Sequence, residues 1–356
     1  LWGGALADAM DRRKLLLITS TGLGVTSLLL WAQAASGLNN VWVLLCLFSV
    51  QQAFFAVNQP TRAAVIPRLL PVGQIAAATS LNMTVVQFGA IAGPLFAGAL
   101  IPVVGLPTLY LLDAIFLLAT LWAVVRLPAV PPLGEVTKAG LRAVFDGFRY
   151  LSGQRILLAS FVVDIVAMVF GMPRALFPQI AHESFGDPAQ GGFALGLLFA
   201  AMSVGAVVGG VFSGWLPRVQ RQGLAVIVCI VLWGVAMVGF GAAVWWAEPG
   251  GSGLLLWVAL FFLAFGGAVD MVSAAFRSTM LQTVATDEMR GRLQGVFIVV
   301  VAGGPQLGML LLGALAGRLG EGGAALAGGI TCMVVVLGLA AWQRGFVRYD
   351  AQDPTP

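Results

Sequence analysis

The chain reads as an all-α membrane protein, a bundle of helices that cross the bilayer, and three observations lead there. The first is length. Ten apolar stretches, at 15–36, 41–66, 75–101, 106–127, 156–181, 192–216, 223–247, 253–280, 293–317 and 322–343, fill nearly all of the 356 residues. About 20 residues of helix cover the ~30 Å hydrocarbon layer, and a backbone in lipid must close its hydrogen bonds internally, so repeated crossings are helices. The second is composition: 59% of residues are apolar or aromatic and only 10% are charged, against roughly 25% charged in soluble domains. The third is the placement of charge. With the start of 15–36 in the cytosol and sides alternating, every Lys and Arg of the 19 except Arg174 and Arg318 falls in a cytosolic segment. The net charge of +4 and pI near 9.3 are therefore a topology signal, and a nucleic-acid partner is not expected.

The elements follow in order. Leu1 to Ala7 has the character of the last two turns of an apolar helix, so at least one crossing is expected upstream of it. Four crossings lie between 15 and 127. The longest polar interval, 128–154, opens with Pro128, Pro131 and Pro132. Within it Leu141, Val144, Phe145, Phe148 and Leu151 share one face at helical spacing, which predicts an amphipathic surface helix on the cytosolic side. Six crossings follow. The predicted organisation is an incomplete N-terminal bundle over 1–127, a linker over 128–154, a six-helix bundle over 155–343 and a cytosolic tail over 344–356.

The two bundles repeat. An offset of 215 aligns Arg62 with Arg277, Gly93 with Gly308 and Gly98 with Gly313. An offset of 206 aligns Gly3-Gly4 with Gly209-Gly210 and Arg12 with Arg218. Two parallel repeats related along the membrane normal are the ground plan of one large transporter class. Cys46, Cys229 and Cys332 each lie in an apolar span, and His182 is the one histidine, so no disulfide framework, metal site or cofactor is expected. Gly22-Leu23-Gly24 lacks the context of a dinucleotide loop and no Walker loop is present.

Three segments carry a family resemblance. Gly4-Ala5-Leu6-Ala7-Asp8-Ala9-Met10-Asp11-Arg12-Arg13 is similar to the major facilitator signature G-x-L-A-D-R-x-G-R-R, with Ala9 and Asp11 departing from it. Gly89-Ala90-Ile91-Ala92-Gly93-Pro94-Leu95-Phe96-Ala97-Gly98 resembles that superfamily's fifth-helix export motif G-x-x-x-G-P-x-x-G-G. Pro60 to Pro71, together with Leu281-Gln282, Arg290-Gly291-Arg292 and Arg174 to Pro178, resembles the branch that holds enterobactin exporters and macrolide efflux proteins. The resemblance implies two six-helix bundles, here lacking the first helix and most of the second. It implies a cytosolic latch formed by Gly4, Leu6, Asp8, Arg12, Arg13 and Arg62, with Asp8 as its acid. On physical grounds Gly89, Gly93 and Ala97 predict a close-packed seam, and Pro94 a kink.

Ionisable groups inside spans are costly and mark function; here they are Asp113, Asp164, Arg174 and Asp270. Asp113 and Arg174 are expected to neutralise one another across an outer gate, and either Asp270 or Asp164 to carry a coupling proton. Gln51, Gln52, Asn58, Asn82 and Gln87 are candidates to line a cargo cavity, with Gln306 beside them and apolar walls from Phe54, Phe55, Phe88 and Phe170. The fourth-helix arginine of many drug/proton antiporters is not present in Phe48 to Phe55. The expected function is secondary export of a siderophore or amphipathic drug-like molecule by alternating access, with proton antiport. The chain would act as a monomer in the inner membrane, with its C-terminus in the cytosol. A transport-inactive fragment or regulatory homologue is the alternative; the in-span polar groups are too dispersed for an enzyme.

Overall fold

The computed structural model describes residues 10–37, 40–131, 149, 151, 153–247, 253–284 and 287–349. Most of the expected amphipathic linker helix, together with Gly4, Leu6 and Asp8, lies outside these residues. Among the described residues, eight helices are long and apolar enough to cross a membrane. Two of them carry a break that divides them into two crossings each.

The chain forms two compact units: Leu1–Val86 with Leu100–Arg142, and Gln87–Ala99 with Ala143–Pro356. The first holds α1 (Arg12–Ala35), α2 (Val41–Leu69) and parts of α3 (Val72–Val125). Asp11 starts α1 by accepting from the Arg13 amide at 2.8 Å, and Asn40 starts α2 by accepting from Trp42 and Val43. Both satisfy amides that a helix start leaves open. The side-chain distribution on α1 is inverted relative to a soluble helix. Thr19, Ser20, Thr26 and Ser27 are buried at 3% exposure or less, whereas Ile18, Val25 and Leu29 are about half exposed. Lipid charges nothing for an outward leucine, and hydroxyls turned inward find partners on the next helix.

Asn58 on α2 is one such partner. It donates to Thr19 Oγ1 at 2.8 Å and Ser20 Oγ at 3.2 Å, and Thr19 in turn donates to the Leu15 carbonyl. Asn58→Ala is expected to cost about 0.6–1.7 kcal/mol, the range of interhelical hydrogen bonds in membrane bundles. Denaturant titration of the detergent-purified protein measures it, and a loss of several kcal/mol would contradict this account.

The two internal breaks fall at single glycines. Gly105 in α3 has φ 76° and ψ 159°, and Gly320 in the later long helix has φ 71° and ψ 169°. That region of backbone space is essentially closed to residues with a Cβ. The breaks fall where the sequence separates 75–101 from 106–127 and 293–317 from 322–343. They are also 215 residues apart, the offset that aligns Arg62 with Arg277.

The second unit contains the 87–99 part of α3, then α4 (Arg155–Phe170), a 3-10 turn (Pro173–Leu176), α5 (Phe177–Glu183), α6 (Phe193–Val211) and a second 3-10 turn (Ser213–Arg218). After these come α7 (Gln222–Trp245), α8 (Leu254–Val284), α9 (Asp287–Trp342, broken at Gly320) and α10 (Arg344–Val347). The predicted crossing 156–181 is thus not one helix. It is interrupted at Gly171 and Met172, before Pro173, whose ring removes a backbone donor. Its core is aromatic: Phe177, Trp233 and Phe240 are at most 2% exposed, and Phe177 meets Phe199 and Phe240 edge-on at 5.1 and 6.0 Å. Gly205 and Gly209 of α6 lie against the carbonyls of Ala264 and Ala268 of α8, a small-residue contact that lets backbones touch. Asp187 caps α6 through the amides of Ala194 and Leu195. His182 Nδ1 donates to the Asp187 carbonyl at 2.7 Å, which gives the single histidine a loop-closing place.

Candidate functional site

Two polar constellations lie at membrane depth, one in each unit. In the first unit a cavity of about 280 Å³ is bounded by Ser20 and Leu23 of α1, Gln51, Gln52, Phe55, Asn58 and Arg62 of α2, and Asp113, Leu117 and Thr120 of α3. Two of these residues, Gln51 and Asp113, are joined by hydrogen bonds through Ser27. Gln51 Nε2 donates to Ser27 Oγ at 3.0 Å, and Ser27 donates to Asp113 Oδ2 at 2.5 Å. Three of the expected cargo-lining residues, Gln51, Gln52 and Asn58, are thereby brought together with Asp113. Asn82 and Gln87 are exposed on α3 and do not border this cavity.

The basic residues of the expected latch also have definite places. Arg12 Nη1 donates to the Ala64 carbonyl at 3.1 Å and Arg13 Nη2 to the Val125 carbonyl at 2.7 Å. Val125 ends α3, so Arg13 meets the negative end of that helix and satisfies one of its terminal carbonyls. Asp11, a departure from the motif glycine, caps α1 and also accepts from the Val130 amide at 3.4 Å. Arg62 borders the cavity.

In the second unit Arg277 of α8 forms an ion pair with Asp164 of α4, and its Nη2 lies 3.7 Å from Asp270 Oδ1. Asp164 and Arg277 are 2% and 4% exposed in their side chains, whereas Asp270 is 35% exposed. Arg277 Nε also reaches the Ser273 carbonyl. Its position at the end of a span puts Arg277 among the cytosolic charges; the structure shows the guanidinium buried between two helices. A buried ion needs an opposite charge at hand, and Asp164 supplies it.

Arg174 stands exposed in the 3-10 turn that interrupts the span after α4. Within its own unit Asp113 accepts a hydrogen bond from Ser27.

The small-residue seam also differs from expectation. A Cβ at Gly89 or Gly93 would meet nothing within 4 Å, and both glycines are open. The close approach falls one turn later, where a Cβ at Gly98 would lie 2.5 Å from the Gly192 carbonyl and 2.9 Å from Gly196 Cα. In return, a Cβ at Gly196 would lie 2.5 Å from the Pro94 carbonyl. Pro94 is a contact residue here, and the helix carries no non-helical residue before Gly105. Gly196 and Arg277 are the residues that a reading of the sequence passes over. Their signals are the four-residue spacing of Gly192 and Gly196, and the repeat alignment of Arg277 with Arg62.

The family model described as transmembrane secretion effector matches residues 1–354. The chain belongs to that family, within the major facilitator superfamily. Curated relatives agree with it. The chain is 27% identical to the enterobactin exporter of Citrobacter koseri, over 99% of this chain and 82% of that protein. It is 28% identical to the enterobactin exporter of Escherichia coli O81, over 94% of this chain and 77% of the other. Among solved structures, a POT family transporter in complex with a thioalcohol-conjugated peptide superposes with a TM-score of 0.72. It shares 14% identity over 97% of this chain and 84% of that one, a likeness of fold. The fold class is therefore that of a major facilitator transporter, a multi-pass membrane protein that carries a small molecule.

Proposed function

We propose that the chain exports a siderophore or a comparable amphipathic small molecule from the cytosol by alternating access, coupled to proton antiport. The observation that carries this reading is the match of nearly the whole chain to enterobactin exporters, together with the polar groups held at membrane depth in both units. The protein would sit in the inner membrane with its C-terminus in the cytosol, and act as a monomer. The latch of Gly4, Leu6, Asp8, Arg12, Arg13 and Arg62 would close the cytosolic side.

Of the two candidate acids for the proton, Asp270 fits better. Asp164 is buried and engaged by Arg277, so losing its charge would leave that buried guanidinium only its longer contact to Asp270. Asp270 is a third exposed, and its contact with Arg277 is longer at 3.7 Å. It can change charge while Arg277 keeps Asp164.

The test uses cells that make enterobactin and lack their own exporter. Expression of the chain should move siderophore from the cell pellet to the medium, and Asp270→Asn should abolish the dependence of this export on the proton gradient. Equal pellet siderophore with and without the wild-type chain would sink the export reading. Gradient-driven export by Asp270→Asn would remove that residue from the coupling role.

A further inference from the structure

A trench of about 470 Å³ runs along the second unit between α6 and α7, a size that holds a small molecule. It exists because α8 packs against both neighbours on opposite faces. Gly205 and Gly209 of α6 lie against the backbone of Ala264 and Ala268, and Gly266 of α8 lies against Trp233 and Met237 of α7. The space left between α6 and α7 is floored by Val269, Val272 and Phe276 of α8. Its walls are Phe212 and Trp215 after α6, and Leu224, Val228 and Leu232 at four-residue spacing on α7. These five are each at least 36% exposed, so the trench opens outward.

Two features say what covers it. The first is length. From Leu224 to Leu232 the helix advances about 12 Å, close to the ~15 Å of hydrocarbon in one leaflet. The second is charge. Arg221 is the one charged residue that borders the trench. It is exposed, and α7 starts from it with no side-chain cap. Exposed Arg218 ends the 3-10 turn just before it. Trp215 stands in that turn and meets Phe276 edge-on at 6.2 Å; an indole favours the boundary between lipid and water.

We infer that the trench seats one anionic phospholipid, with an acyl chain over Val269, Val272 and Phe276 and its phosphate on Arg221. A guanidinium presents a planar fork of donors matched to two phosphate oxygens, and the positive end of α7 adds to the attraction. A zwitterionic headgroup offers the same phosphate but brings a cation to a mouth that already holds two arginines, so it binds less well.

The experiment titrates the full chain, purified in detergent, with phosphatidylglycerol or phosphatidylcholine carrying brominated acyl chains, and reads the quenching of tryptophan fluorescence. Subtracting the same titration of Trp215→Phe isolates the signal from the trench. Phosphatidylglycerol should reach half its effect at about fivefold lower concentration, the worth of one basic residue near an anionic headgroup. Arg221→Gln should make the two lipids equal, and Arg221→Lys should keep part of the preference. Arg344→Gln is the control: that residue is exposed on α10 and does not border the trench, so the preference should stay. Val228→Trp should weaken both lipids by filling the trench. Added salt should shrink the preference in the wild type, which tests the charge without any variant. Equal binding of the two lipids by the wild type, a preference that survives Arg221→Gln, or quenching unchanged by Trp215→Phe would each overturn the inference. So would reversal of the Trp215 signal by enterobactin, since the trench would then belong to the cargo.

Discussion

Arg277→Met is expected to destabilise the protein more than Asp164→Asn does, and more than the double variant Arg277→Met with Asp164→Asn. Removing the guanidinium leaves Asp164, 2% exposed, as an unpaired charge between α4 and α8. Breaking a buried pair from one side costs about 3–5 kcal/mol, whereas neutralising both partners costs far less. Asp164→Asn alone should fall between the two, since Arg277 still has Asp270 at 3.7 Å. Thermal unfolding of the wild type and the three variants in detergent ranks them. A double variant no more stable than Arg277→Met would mean that the pair is not what holds these helices.

Gly196→Leu is expected to abolish export while leaving membrane insertion intact. Its Cβ would lie 2.5 Å from the Pro94 carbonyl and 3.2 Å from Gly98 Cα. These are backbone atoms, which cannot swing aside as a long side chain can. Forcing a branched side chain into a filled contact costs about 1–3 kcal/mol, and here the cost falls on the approach of two helices. Insertion depends on the hydropathy of the segment, which leucine raises. Gly93→Leu is the control: nothing lies within 4 Å of its Cβ position, so export should persist. Siderophore in the medium and protein in the membrane fraction are the two readouts. The reverse pattern, with Gly93→Leu inactive and Gly196→Leu active, would place the seam where the motif spacing puts it.

These cases show how much is legible in the residues. The crossings can be located because hydrocarbon thickness sets their length regardless of neighbours, and the breaks at Gly105 and Gly320 fall between them for the same reason. Asp164, Asp270, Arg174 and Asp113 stand out because charge is rare in such segments. Their partners do not. Two offsets suggest the repeat, but nothing in a linear pattern says that Arg277 turns inward to Asp164, or that Arg13 closes the end of α3.

The amino-acid sequence by itself determined that the chain crosses a membrane many times, roughly where the crossings lie, and which polar residues they carry. Each of those follows from local hydropathy. The tertiary structure alone decided that Ser27 meets Asp113, that Arg277 divides itself between two acids, and that Gly98 and Gly196, rather than Gly89 and Gly93, form the tight contact. A helix apolar on every side gives no sign of which face will meet which neighbour, and that rotation is settled only when the helices pack.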